Sequence, residues 1–171
     1  MGSVAEPIAS KRSLLGLGLA LLICFAASFI GNAFTMPNLG WYATLEKPGF
    51  TPPNGIFPIV WTILFALMAV SAWLVWRKPA DAGDKKTALT WFGIQLALNV
   101  LWPFAFFQMQ SPIAGLAVIL WLLVAIVLTM VFFDRVSRIA ALLLIPYLLW
   151  VGFAAGLNFA VWALNAAAGS A

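Results

Sequence analysis

The chain has no histidine and a single cysteine, Cys24, among its 171 residues. Lacking histidine, it is without the commonest metal ligand and the commonest general base near neutral pH. One cysteine excludes an intramolecular disulfide, and Cys24, set inside an apolar run, reads as packing. Charge is scarce. Asp, Glu, Lys and Arg make up 8% of the chain, against about 25% in soluble domains. The five acidic residues, Glu6, Glu46, Asp81, Asp84 and Asp134, all fall outside the centres of the apolar runs. A carboxylate relay of the kind that drives proton-coupled pumps is therefore missing. There is no P-loop, no dinucleotide-binding glycine pattern, no cluster of metal ligands and no catalytic constellation.

What is present is apolar: 64% hydrophobic residues and nine tryptophans. Five runs are long enough to span a bilayer: Leu14 to Phe34, Phe57 to Trp76, Ala88 to Phe107, Ile113 to Phe133 and Ile139 to Asn165. The first follows Lys11-Arg12, as a signal peptide would. It is longer than a signal core and no convincing small-x-small site follows, so it reads as a retained helix. The expected organisation is a polar segment over 1–12, one membrane domain over 13–165 and a short tail over 166–171. The net charge of +4 does not mark a nucleic-acid surface, because the basic residues sit in short connections between apolar runs. Eight of the nine (Lys11, Arg12, Arg77, Lys78, Lys85, Lys86, Arg135 and Arg138) fall on one side of a five-span topology, and Lys47 on the other. The positive-inside rule then places the N-terminus in the cytoplasm, for an inner or cell membrane; an outer membrane stays open.

The longest connection, residues 35–56, holds Trp41, Tyr42, Pro48, Phe50, Pro52 and Pro53. Its prolines argue against a regular helix through the segment, and its aromatics against full solvation. A lid over the bundle, built on Trp41, Pro48, Pro52 and Pro53, fits better. Pro103 should kink the third span. Ser111-Pro112 reads as an N-cap with proline at the first helical position.

Three helix faces carry chemistry. Trp61, Phe65, Met68, Ala72 and Trp76 share one face of the second span. Gln95, Asn99, Trp102 and Phe106 share one on the third. Tyr147, Trp150, Ala154, Asn158 and Trp162 share one on the fifth. If these faces converge, they enclose an aromatic cavity with a few amides and one phenol, suited to a large planar apolar ligand. Two structural readings stand beside this. Trp41, Trp73, Trp76, Trp91 and Trp162 lie near span ends, where aromatic belts form. Gln95, Asn99 and Asn158 also suit interhelical hydrogen bonding. Gly93 and Ala97 form a small-xxx-small pair on another face of the third span, where a second helix can approach closely.

These residues resemble the TspO/MBR family of tryptophan-rich sensory proteins and translocator proteins. The matching pieces are Trp41-Tyr42 through Lys47-Pro48 and Pro52-Pro53; Phe57-Pro58 with Trp61; Gln95 to Asn99 with Trp102-Pro103 and Phe106-Phe107; and Pro146-Tyr147 with Trp150, Phe153, Asn158, Trp162 and Asn165. The resemblance implies an all-α membrane protein, a five-transmembrane-helix bundle with the long first loop as lid, often a homodimer. Gly93 and Ala97 are the candidates for its interface. It implies no obligatory cofactor and a porphyrin, such as protoporphyrin IX, as ligand. The expected ligand-binding set is Tyr42, Trp61, Phe65, Asn99, Trp102, Phe106, Tyr147, Trp150, Ala154 and Asn158. Trp61 and Trp150 match tryptophans tied to light-dependent porphyrin breakdown. Three functions follow as expectations: a tetrapyrrole sensor, a photo-oxidative porphyrin-degrading activity, and transport of tetrapyrroles or sterols. Two departures bear on them. The sterol-recognition pattern of animal relatives needs a tyrosine and a basic residue where Phe159 and Ala163 stand. The acidic residue of many relatives' fourth span is replaced by the apolar stretch Val118 to Trp121.

Overall fold

The computed structural model describes residues 10–168 and, beyond the backbone, side chains through Ala166. The segment 1–9 and residues 169–171, parts of the two end segments expected above, lie outside the described residues. The fold is all-helical over that range: α1 (Lys11–Thr35), α2 (Leu39–Thr44), α3 (Ile56–Arg77), α4 (Ala82–Pro103), α5 (Pro112–Val136), α6 (Arg138–Leu143) and α7 (Ile145–Ala168). Counting α1 with α2 and α6 with α7, five helical stretches are long and apolar enough to cross a membrane.

Caps and prolines set the helix ends. Ser10 Oγ accepts from the Ser13 N–H at 3.1 Å, and Ser111 Oγ from the Ala114 N–H at 3.3 Å ahead of Pro112. Pro103 has no N–H to continue the ladder, and α4 gives way there to a wider π-helical turn over Phe104–Gln108. Gln110, at φ 50°, then swings the chain into α5. The fifth span is broken at Leu144, two residues before Pro146, so α6 and α7 replace the single helix expected over Ile139 to Asn165. The loop over 35–56 also differs from expectation. It carries a 3₁₀ turn at Met36–Asn38 and the helix α2, so Trp41 and Tyr42 are helical. Pro37 falls in the first turn of that short helical unit, where a missing N–H costs nothing, and no proline follows until Pro48.

In lipid, helices associate by close packing and hydrogen bonding, since the acyl chains are as apolar as leucine. α1 packs on α3 and α4, α5 on α4 and α7, and α3 also on α6. At the α6 end the bundle is closed by fully buried Met68, Val75, Leu122, Ile126 and Phe133. Ser71 Oγ donates to the Ala140 carbonyl at 2.7 Å, tying α3 to α6. Trp73 Nε1 donates to the Ser13 carbonyl at 2.8 Å, tying α3 to α1. Basic residues gather at this end. The Arg77 guanidinium lies 4.8 Å from the Trp73 ring, Arg12 lies 5.9 Å from Trp76, and Lys85 Nζ donates to the Trp76 carbonyl at 3.1 Å. Away from α6 the wall between α3 and α7 opens, and a cavity begins.

Candidate ligand-binding site

The cavity has a volume of about 540 Å³ and is walled by α1, α2, α3, α4 with its π turn, and α7. Trp61 and Phe65 enter from α3, with ring centroids 5.7 Å apart. Asn99 and Trp102 come from α4, and Phe106 and Phe107 from the π turn. Trp102 stacks on Phe106 at 5.6 Å, and Phe106 meets Phe107 edge-on at 4.8 Å. The wider π turn brings Phe106 and Phe107, adjacent in sequence, into the same aromatic wall. α7 supplies Trp150, Ala154 and Asn158, and α2 supplies Tyr42, which packs on Phe107 at 5.6 Å.

Nine of the ten residues read from the sequence as ligand-binding border this space. Tyr147 does not. It shares the helical phase of Trp150 and Ala154 but lies a turn deeper, fully buried below the cavity floor. Its hydroxyl accepts from Asn99 Nδ2 at 2.8 Å and donates to Gln95 Oε1 at 2.8 Å. Trp162 also leaves the expected face. It packs on Phe159 at 5.7 Å, outside the cavity. Steps of four residues advance an α-helix by about 400°, so each drifts about 40° round the axis. The second-span face divides in the same way: Met68 and Ala72 are core, while Trp76 sits exposed at the basic end. None of Trp41, Pro48, Pro52 and Pro53 lines the cavity. Trp41 packs behind it on Phe106 at 5.6 Å, and between α2 and α3 the lining residue is Asn54.

The α1 wall has no counterpart in the sequence reading. Phe25, Ser28, Gly31, Asn32 and Thr35 border the cavity. Ser28, Asn32 and Thr35 step by four and three along an otherwise apolar helix, and that polar stripe was the available signal.

The polar groups are differently committed. Asn158 is engaged at both ends, its Oδ1 accepting from Trp102 Nε1 at 3.1 Å and its Nδ2 donating to the Pro112 carbonyl at 2.7 Å. Trp150 Nε1 is buried without a hydrogen-bond partner, a cost of about 1–3 kcal/mol. The Phe57 ring lies 5.7 Å from the Trp150 ring. At the cavity's outer end, Asn165 pins the loop to α7: its Oδ1 accepts from the Glu46 N–H at 3.1 Å and its Nδ2 donates to the Glu46 carbonyl at 3.0 Å. Phe50 meets Phe153 at 6.3 Å beside this latch. Among the described residues no group of three or more Cys, Asp or Glu side chains is placed to hold a metal.

The sequence model of the TspO/MBR family matches residues 20–163, which include every residue bordering the cavity. This chain belongs to the TspO/MBR family. It is 45% identical to the tryptophan-rich protein TspO of Chlorobaculum tepidum over 91% of this chain and 99% of that one. It is 42% identical to the protein of that name from Archaeoglobus fulgidus, over 90% and 99% of the two chains. It is 37% identical to the human translocator protein, over 80% and 82%. Family membership and the five apolar spans make it a multi-pass membrane protein. The TspO/MBR match also covers Gly93 and Ala97, both exposed on α4 with open space beside Gly93.

Proposed function

We propose that this protein binds a porphyrin such as protoporphyrin IX in the aromatic cavity and acts as a tetrapyrrole or stress sensor. The observation that carries the reading is the cavity itself: about 540 Å³, walled by the rings of Trp61, Phe65, Trp102, Phe106 and Trp150, with few polar groups. That volume falls within the roughly 300–1,000 Å³ range of small-molecule sites. Stacked indoles and phenyl rings hold a flat macrocycle by its faces. The names of relatives, tryptophan-rich sensory protein among them, agree with a sensory role. Titration of purified protein with protoporphyrin IX, followed by tryptophan quenching, tests this. Saturable quenching weakened in a Trp150→Phe/Asn99→Ala variant supports it; unsaturable quenching, or an unchanged affinity in that variant, rules out a specific pocket.

A second reading rests on Trp61 and Trp150 both standing in the wall. A light-excited porphyrin takes an electron from an adjacent indole, and dioxygen serves as terminal oxidant of the macrocycle. The chemistry belongs mainly to the ligand. Equal porphyrin loss in illuminated wild type and Trp61→Phe/Trp150→Phe protein would end this reading. Transport ranks third, since five spans do not divide into two equal inverted halves. The protein's proposed assembly is a homodimer through the exposed Gly93–Ala97 stripe of α4. The proposed orientation sets the Arg12–Arg77–Lys85 end in the cytoplasm. Cross-linking of Ala97→Cys protein in native membranes checks the first, and labelling of single cysteines placed at either end checks the second.

A further inference from the structure

Three buried side chains fix which end of Asn99 faces the cavity. The thioether sulfur of Met68 accepts hydrogen bonds and donates none. Gln95 is fully buried, and its Nε2 lies 3.8 Å from Met68 Sδ. The amide therefore turns its NH₂ toward the sulfur and its Oε1 toward Tyr147, 2.8 Å away. Tyr147 has one hydroxyl proton, and Gln95 Oε1 takes it. With its proton given to Gln95, the Tyr147 hydroxyl oxygen has only lone pairs to offer Asn99, whose NH₂ donates to it at 2.8 Å. Asn99 Oδ1 is left over. It makes no hydrogen bond, and it is not among the buried unpartnered polar atoms of the described residues, which are Ser13 Oγ and Trp150 Nε1. It thus keeps accessible surface, and the open space that Asn99 borders is the cavity.

We infer that the cavity is polarised at its floor: Asn99 presents an acceptor there, held in that sense by the Met68–Gln95–Tyr147 relay. The group recognised at the floor is a neutral donor on an apolar ligand, a hydroxyl or an N–H. Ketones, ethers and carboxylates oppose the Asn99 oxygen, so a ligand's ionised carboxylates point away from the floor, toward Asn54 and the loop. Asn99 touches the ligand. Met68, Gln95 and Tyr147 are positioning residues that act through it, and Met68 and Tyr147 border no part of the cavity. Asn158 differs in that each end of its amide already holds a partner, Trp102 Nε1 on the oxygen and the Pro112 carbonyl on the nitrogen.

The inference rests on the cavity reading above, and two flat fluorescent probes of nearly equal shape separate the two. 1-Hydroxypyrene carries a donor; 1-methoxypyrene carries only an acceptor. Wild type should bind the hydroxyl compound about fivefold more tightly, the size of one neutral hydrogen bond. Tyr147→Phe frees the Asn99 amide to turn over, and the preference should fall below about twofold. Met68→Leu conserves volume and leaves the wall untouched, and it too should lower the preference; it carries the test if Tyr147→Phe fails to fold. Equal binding of the two probes by wild type, or a full preference surviving in either variant, overturns the polarity while leaving the cavity in place. Absence of saturable binding by either probe sinks the cavity reading and this inference with it.

Discussion

The two ends of the bundle are built from the same kind of helix and do opposite things. Around α6, α3 meets its neighbour through small residues and one hydrogen bond, Ser71 to Ala140, and aliphatic side chains with Phe133 fill the space. Toward α2, large rings stand on the facing sides of α3, α4 and α7, and they hold the helices apart around about 540 Å³. Polar groups divide less cleanly. At the closed end the Ser71 and Trp73 side chains have backbone partners, although Ser13 Oγ beside Trp73 is buried without one. At the open end the Trp150 N–H has none, and Asn99 keeps one end of its amide toward the cavity. Rigidity and binding are thus separated along the bundle axis. A close-packed half fixes the helix positions, and a ring-lined half leaves the Asn99 oxygen for a ligand to satisfy.

Substitutions at each end should separate stability from binding. Phe133→Ala removes a fully buried ring at the closed end and should cost about 3–5 kcal/mol, read as a large fall in unfolding temperature in detergent. Porphyrin affinity at temperatures where the variant stays folded should change little. Asn158→Leu sits on the boundary. It strands the Trp102 N–H and the Pro112 carbonyl, so a stability loss of about 1–3 kcal/mol should come together with weaker binding. Equal stability of that variant and wild type would show that the Trp102 bond contributes nothing. Gly115→Ala probes the same corner, since a Cβ there would lie 2.8 Å from Phe106 and 3.0 Å from Asn158 Oδ1. Overpacking should cost roughly 1–3 kcal/mol and push Phe106 into the cavity. The smallest effect is expected from Asn165→Ala, which releases the loop from α7. Stopped-flow release of bound porphyrin should quicken by roughly two- to tenfold, with unfolding temperature nearly unchanged.

Much of this architecture is legible in the chain, because apolar run length sets the spans and helical phase sets which side chains share a face. Trp61, Trp102 and Trp150 converge as phase requires. Phase is silent about depth, which is why Tyr147 reads as a wall residue and lies beneath the floor. It also drifts, which carries Trp162 away from the face of Ala154 and Asn158. The α1 wall was hidden for another reason. A helix bordered by lipid on one side and an apolar cavity on the other is hydrophobic all round, and only Ser28, Asn32 and Thr35 mark the inner stripe. The helix α2 was obscured by prolines on both sides, although none falls between Leu39 and Thr44. The relay from Met68 to Asn99 spans three helices and could not be read from any one of them.

The central claim is that the ring-lined half is a ligand site, and Ala154 tests it most directly. Ala154 is small, lines the cavity and makes no side-chain hydrogen bond that substitution would break. Ala154→Phe places a ring in the space the ligand would fill. Protoporphyrin IX titrated into wild type should quench tryptophan fluorescence to a one-to-one end point, and the variant, with its fold verified by thermal unfolding, should bind at least about tenfold more weakly, a change of about 1.4 kcal/mol. Equal affinity in the two proteins would place the porphyrin elsewhere and contradict the account.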